Sequence, residues 1–365
     1  MSKIIDYKGF IEKYFTITTI DGQIVPMKLN DVQSFYYDLI QKEYGETLAP
    51  VRENILKSRR FGFSSLIDAM FCVDFILGEI GKTNLASASV YSYRQKDTDE
   101  LFKRVNQFID SYLLIAYSGG QLHYENPDDR KYLPAFRAKF LRKDVGGTII
   151  EGQNGSVYDC LTAGAKVSGR GGTRQNIHWS EVAFYNNTDI LDARELVVGA
   201  EKQVSDGVGK IFRETTGNVA DNFFAEEYQA GKDGRSQFKS RFLAWHLFGE
   251  YSTKAPINWE MPEYYQQIPN ITPDQAYWHF RKTNGLTSKL EMREFPTTDT
   301  EAFLLGGDPY FSDDSIVYYN SLIAKPIKEG DYVSALYRAR ARRVLRGGGG
   351  LRSRRYRRKL RTIPV

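Results

Sequence analysis

The segment Lys57-Ser58-Arg59-Arg60-Phe61-Gly62-Phe63-Ser64-Ser65 lies between a β-rich run and a strongly apolar stretch with helical character. That is the setting in which a chain grips phosphate, because a glycine-bearing loop at a helix start turns backbone N–H groups toward an anion. Ser58, Gly62, Phe63, Ser64 and Ser65 can line such a group with their main chain. Measured against the standard pattern G-x-x-x-x-G-K-[ST], the first glycine and the lysine are gone, and Phe63 stands in the lysine's place. Lys57, Arg59 and Arg60 can supply the lost charge from the other side of the loop. Ser64 keeps the hydroxyl that a magnesium ion needs.

Two further strand ends carry suitable groups. The apolar run Ile177-His178-Trp179-Ser180 is followed by Glu181, and a carboxylate at the end of a central strand can orient and polarise water for attack on a terminal phosphate. Glu181 is therefore the candidate catalytic acid/base and, with Ser64, a candidate metal ligand. Then Glu214-Thr215-Thr216-Gly217-Asn218 ends another β-rich run. Its hydroxyls and amide could sense a phosphate and pass on its loss; taken alone, Thr-Thr-Gly-Asn is turn chemistry. His123, His178, His246 and His279 are scattered, and His178 reads as a packed residue. Trp245 and Trp278 read as core.

These positions need elements to hold them. FTITTIDGQIV (15–25) reads as a hairpin around Asp21-Gly22. Asn30 can cap the helix DVQSFYYDLIQKEYG. A strand precedes the basic loop and an apolar helix follows from about Ser64 to Gly78. NLASASVYS is a buried strand, and TDELFKRVNQFIDSYLL carries Leu101, Val105, Phe108 and Leu113 at helical spacing. Strand-like runs recur at GTIIEGQ, SVYDCLTAG, NIHWSEVAFYN and VGKIFRETTGN, with ADNFFAEEYQAG as a helix after the last. Such alternation argues for an α/β fold with a mostly parallel central sheet flanked by helices.

Beyond Lys239 the text changes: FLAWHLFGEYS, prolines at 256 and 262, a helix TPDQAYWHFRKTNG and the run EFPTTDTEAFL. The expected division is residues 1–240 as the core, 241–330 as a lid or linker subdomain and 331–365 as a basic tail. From Arg338 to Arg361 the tail holds twelve Lys or Arg and no acid, so the net charge of +5 becomes −7 without it. Four consecutive glycines interrupt this arm, which suits a mobile segment able to meet phosphate. Cys72 and Cys160 have neither disulfide-framework nor zinc spacing, which points to a reducing cytoplasm. No run of about 18 apolar residues suggests a membrane span.

The order of the three motifs resembles that of the large terminase ATPase of tailed bacteriophages, over about Phe15 to Phe311. SRRFGFSS is similar to that family's deviant Walker A, in which a lysine at the start of the loop, here Lys57, replaces the usual one. IHWSEVAF resembles its Walker B and ETTGN its coupling motif; WHLFGEY and EFPTTDTEAFLLGG are also similar to stretches beyond the ATPase core. The resemblance implies an additional-strand P-loop NTPase fold and an ATP- and magnesium-dependent motor that drives double-stranded DNA into procapsids. It implies that Gln33 recognises adenine, that Thr215, Thr216 and Asn218 contact the nucleotide, and that Lys57, Arg59 and Arg60 act on its phosphates. Expected partners are the procapsid portal, a small terminase subunit and further copies of the chain in a ring, in the host cytoplasm and without a membrane. A trans-acting arginine is expected among Arg142, Arg170 and Arg174.

Two departures stand out. Ser180 occupies the place of the usual Walker B aspartate. After Phe311 only Asp313, Asp314, Glu329 and Asp331 remain as acids, so the metal-binding nuclease domain that usually follows, and DNA cleavage with it, is expected to be absent. Two other readings stay open: another DNA-dependent ATPase, such as a helicase-like translocase, and a non-catalytic DNA-binding or capsid-assembly protein with a degenerate P-loop.

Overall fold

A computed structural model describes residues 5–45, 48–142, 148–163, 173–185, 192–218, 222–283 and 293–304. The chain starts with helix α1 (Tyr7–Tyr14), whose N-terminus is capped by the Asp6 side chain, and a small hairpin of β1 (Thr16–Thr18) and β2 (Ile24–Pro26). Helix α2 (Asp31–Tyr44) follows. Asn30 and Gln33 form a reciprocal capping box at its start, which satisfies two backbone N–H groups that the helix cannot pair internally.

The central sheet is built from β3 (Val51–Lys57), β4 (Ser87–Ser92), β5 (Ile149–Glu151), β6 (Val157–Thr162), β7 (Asn176–Ser180), β8 (Lys210–Thr215) and β9 (Lys239–Leu243). Their order is β5-β6-β4-β7-β8-β3-β9. Every neighbouring pair is parallel except β5 with β6. All seven residues of β3 are buried, as a strand covered on both faces requires. Strand β8 lies between β3 and β7.

Helices cover both faces. On one side lie α3 (Phe63–Glu79), α4 (Gln95–Tyr117) and α5 (Leu133–Phe140), together with α1 and α2. Helix α3 is mostly apolar and almost wholly buried, because other helices cover its outer side, and its acids Asp68 and Asp74 are paired inside with His178 and Lys210. On the other side α6 (Ala193–Glu201) and α7 (Phe223–Lys232) enclose a second core with Trp179, Val197 and Phe224. Period-two alternation separates the two: Ile55, Val90 and Phe212 face the first core, while Leu56, Tyr91 and Ile211 face the second.

The sequence reading anticipated the hairpin, the capped helix and the strands up to β8. It did not anticipate α1, α5 or α6, which are short or weakly patterned. Strand β9 also escaped it, and the expected boundary at residue 240 falls inside that strand. The short helices α8 (Glu263–Gln266), α9 (Pro273–Thr283) and α10 (Asp299–Leu304) follow. Trp245, Phe248, Tyr251 and Phe295 join the first core, so the described part of residues 241–304 shares packing with the central sheet. Trp245 is fully buried in the core, and Trp278, partly buried, packs against it and stacks on Tyr251 at 4.4 Å. Cys72 and Cys160 are buried free thiols. Among the described residues no helix is long and apolar enough to cross a membrane. The expected basic tail lies outside the described residues.

Candidate active site

Parallel pairing brings the carboxyl ends of β3, β7 and β8 to one edge of the sheet, where ligands of open α/β folds bind. Lys57 ends β3, Ser180 ends β7 and Thr215 ends β8. Ser180 stands beside Glu214, and Glu214 stands beside Ile55, so Lys57, Ser180 and Glu214 project from the same face. The motifs that lie far apart in sequence thus meet within hydrogen-bonding distance.

The loop after β3 is locked from several sides. Ser58 N–H donates to the Leu243 carbonyl and Arg59 N–H to the Glu294 carbonyl. Tyr251 donates its hydroxyl proton to the Arg59 carbonyl. Phe61 and Phe63 are buried, Phe63 edge-on against Tyr36, so the residue in the usual lysine position anchors the loop in the core. Arg59 and Arg60 are exposed, with Arg59 paired to Glu294 at 3.2 Å. The Ser58 hydroxyl is buried with no hydrogen-bond partner among the described residues. No side chain caps the start of α3, leaving its first N–H groups facing the loop.

Gln33 is buried, and its amide donates to the Gly62 carbonyl at 2.7 Å and accepts from Asn30 N–H at 3.1 Å. Both ends of this side chain tie α2 to the loop. Gly62 adopts φ +70, and a Cβ there would lie 2.7 Å from Gln33 Nε2. Gly62→Ala is therefore expected to cost about 1–2 kcal/mol from the left-handed backbone alone and to weaken nucleotide binding by pushing Gln33 off the loop. Thermal unfolding and titration with a fluorescent ADP check both effects.

Lys57 is buried and its ammonium lies 3.1 Å from Glu181 Oε1 and 3.0 Å from Glu214 Oε2. Burial disfavours its charge, but the two carboxylates outweigh that and raise its pKa. Glu214 is fully buried; against the cost of that burial, Lys57, the His178 ring 3.4 Å away and a hydrogen bond from Ser64 hold it well below the usual carboxylate range. The Ser64 hydroxyl donates to Glu214 Oε1 at 2.6 Å and the Ser180 hydroxyl at 3.0 Å.

Glu181 terminates the β7 segment at φ +55, a conformation a non-glycine residue adopts only when its surroundings hold it there. Those surroundings are the end of β8 and the residue that follows it. Glu181 Oε2 accepts from Thr216 N–H at 2.9 Å, Thr216 Oγ1 at 3.2 Å and Thr215 Oγ1 at 3.3 Å. Asn218 donates to the Ala183 carbonyl at 2.7 Å, closing the Thr-Thr-Gly-Asn turn over the end of β7. Gly217 in turn packs so tightly on α10 that a Cβ would meet the Ala302 carbonyl at 2.3 Å.

The sequence reading treated Glu214 only as the first residue of the third motif, and His178 only as packed. His178 is indeed fully buried, but its ring bridges Asp68 at 3.0 Å and Glu214 at 3.4 Å. Burial opposes the charged ring, yet the hydrogen bond to Asp68 and the Glu214 carboxylate beside it more than offset that and push the pKa up to about 9. The signal available beforehand was period two: 178, 180, 212 and 214 share a face once β7 and β8 are paired. An imidazolium with a raised folded pKa contributes stability below its unfolded value of 6.5 and loses it as pH rises through 9. Unfolding free energy is expected to fall across that window by about 3 kcal/mol, and His178→Gln to flatten the profile. Urea unfolding at pH values spanning the window measures it.

Of the arginines considered for a trans role, Arg174 is tied to Asp159 at 2.5 Å and Ser89 at 2.8 Å, whereas Arg142 is half-exposed beside Glu151 at 3.0 Å. Arg170 lies outside the described residues. The atoms at the site able to meet a hard cation are oxygens of Ser64, Ser180 and the carboxylates of Glu181 and Glu214. That set suits a hard cation such as magnesium, which takes few protein ligands and keeps phosphates and water.

No protein-family model and no curated protein matches the sequence. Among solved structures, the chain is similar to the HK97 bacteriophage large terminase at 13% identity and a TM-score of 0.49, over 81% of this chain. It is similar to the Thermus phage P74-26 large terminase ATPase domain at 14% identity and a TM-score of 0.39, covering 67% of this chain and 87% of that one. It is also similar to the large terminase of the thermophilic bacteriophage D6E in complex with ADP, at 11% identity and a TM-score of 0.36, over 71% of this chain. The chain spans 55% of the HK97 protein and 50% of the D6E protein.

Proposed function

We propose that this chain is an ATPase and the motor portion of a phage large terminase, acting in the host cytoplasm to drive double-stranded DNA into procapsids. The observation that carries the reading is the convergence of Lys57, Ser64, Glu181 and the Thr215-Thr216 turn at one sheet edge. A degenerate loop without a task would have little reason to keep a buried lysine between two carboxylates, since burying charge is costly unless it is paired.

In this reading the backbone of the loop from Ser58 to Ser65 holds the phosphates of ATP, with Arg59 and Arg60 on the exposed side. Lys57 leaves Glu181 for the phosphates, which frees the carboxylate to accept a proton from water. Gln33 fixes the loop relative to α2, beside the site expected for adenine. Ser64 and Glu181 would hold magnesium, which on binding neutralises charge developing on the phosphates. Thr216 exchanges Glu181 for the phosphate oxygens and releases it after hydrolysis. Because Gly217 touches α10, that exchange reaches the segment 293–304, the natural route to coupling. DNA, the portal, a small terminase subunit and a homo-oligomeric ring are the partners this role requires, and the chain is expected not to cleave DNA.

Steady-state ATP hydrolysis by the purified chain, with and without double-stranded DNA, tests the reading. Magnesium-dependent turnover stimulated by DNA supports it. Absence of turnover even with portal-bearing procapsids would favour a non-catalytic DNA-binding or assembly role.

A further inference from the structure

The position just before the strand-end glutamate carries Ser180, which is too short to replace a carboxylate near the phosphate loop. The fold brings one there from the neighbouring strand. Ser180 pairs in register with Glu214, and β8 lies between β7 and β3, one strand nearer the loop. Glu214 Oε1 accepts from Ser64 Oγ at 2.6 Å and from Ser180 Oγ at 3.0 Å, and Lys57 and His178 close the other sides.

This placement is more than packing. On the same face, Glu214's register neighbour Ile55 on β3 and Phe212 two residues earlier on β8 are apolar, and an apolar residue at 214 would avoid burying a carboxylate at all. With the Ser64 proton donated to Glu214 and the Ser180 proton donated to the same oxygen, the Ser64 oxygen keeps its lone pairs for a cation. Ser64 is only partly buried, open toward the loop.

We propose that Glu214 is a positioning residue that takes over the work of the missing Walker B aspartate, acting through Ser64 to orient its oxygen toward nucleotide-bound magnesium. The proposal rests on the nucleotide-site reading above. It makes Ser180 and Glu214 one relocated unit: the hydroxyl on β7 steadies a carboxylate that has moved to β8.

Titration of fluorescent ADP with magnesium and with EDTA reads the gain in affinity that the metal confers, without any turnover. Glu214→Gln is expected to reduce that gain about 10- to 100-fold, as loss of a ligand-orienting partner does, and to match Ser64→Ala in the size of the lost gain. Adding Ser180→Asp to Glu214→Gln is expected to restore it. A folded Glu214→Gln protein with the full magnesium gain would overturn the proposal. If that variant does not fold, the double substitution decides, since it returns a carboxylate to the same cations: restored gain supports, a folded protein without gain overturns. If neither folds, Glu214 is a structural ion-pair partner and the proposal falls. Wild-type chain that binds no ADP with or without magnesium would remove the nucleotide reading and this proposal with it.

Discussion

Glu181→Gln is expected to lower ATP turnover by about 10²- to 10⁴-fold, the usual worth of a general base, while nucleotide binding survives. Glutamine keeps the shape and can still accept from Thr216 N–H, whose bond to Glu181 Oε2 is 2.9 Å. What it loses is the ability to take a proton. Glu181 is the one carboxylate of the cluster that solvent reaches, its side chain 37% exposed against 0% for Glu214. Only it can meet a water molecule, so in the proposed mechanism proton transfer falls to Glu181 and positioning to Glu214. Turnover at saturating ATP, beside fluorescent-ADP affinity, separates the effects. Near-normal turnover would assign water activation to another group; loss of binding with turnover would make Glu181 an architectural residue.

Lys57→Met carries the second large effect, and it falls on stability as well as activity. Removing the ammonium leaves the fully buried Glu214 carboxylate facing Glu181 across the vacated space. Breaking a buried ion pair from one side costs about 3–5 kcal/mol, and turnover is expected to vanish in the same variant. The pH dependence identifies the cause. In the native protein the depressed Glu214 pKa contributes stability above the unfolded carboxylate value, lost as pH falls through the folded one. Without Lys57 that support weakens, so acid should destabilise the variant less than the wild type. Urea unfolding of both proteins from neutral to acidic pH tests this. A variant as stable as wild type would mean that His178 and the two serine hydroxyls alone suffice for Glu214. Lys57→Arg is not a neutral control, because a planar guanidinium cannot fill the pocket of a compact ammonium.

Several parts of this protein were already determined along the chain. Asn30 and Gln33 specify a helix start by local hydrogen bonding, Asp21-Gly22 specifies a turn, and runs such as Asn176–Ser180 declare buried strands through their apolar content. The basic loop, Glu181 and the Thr-Thr-Gly-Asn turn could each be named because strand-end and helix-start chemistry depends on neighbours in sequence. The α/β class followed from alternation of the same local signals.

What the tertiary structure decided is everything that needs two strands at once. That β8 inserts between β3 and β7 is a matter of sheet order, which no local pattern encodes, and it alone turns Glu214 from the start of a motif into the acceptor shared by Ser64 and Ser180, with the His178 ring beside it. Lys57 could be seen to be near the loop, but not to be clamped between Glu181 and Glu214. Gln33 could be read as a nucleotide contact, yet its amide is occupied by Gly62 and Asn30. His178 looked like one more packed ring until pairing brought it between two acids. Side-chain charge acts through space over a few ångströms, and in this fold those ångströms separate residues 34 to 157 positions apart in the chain.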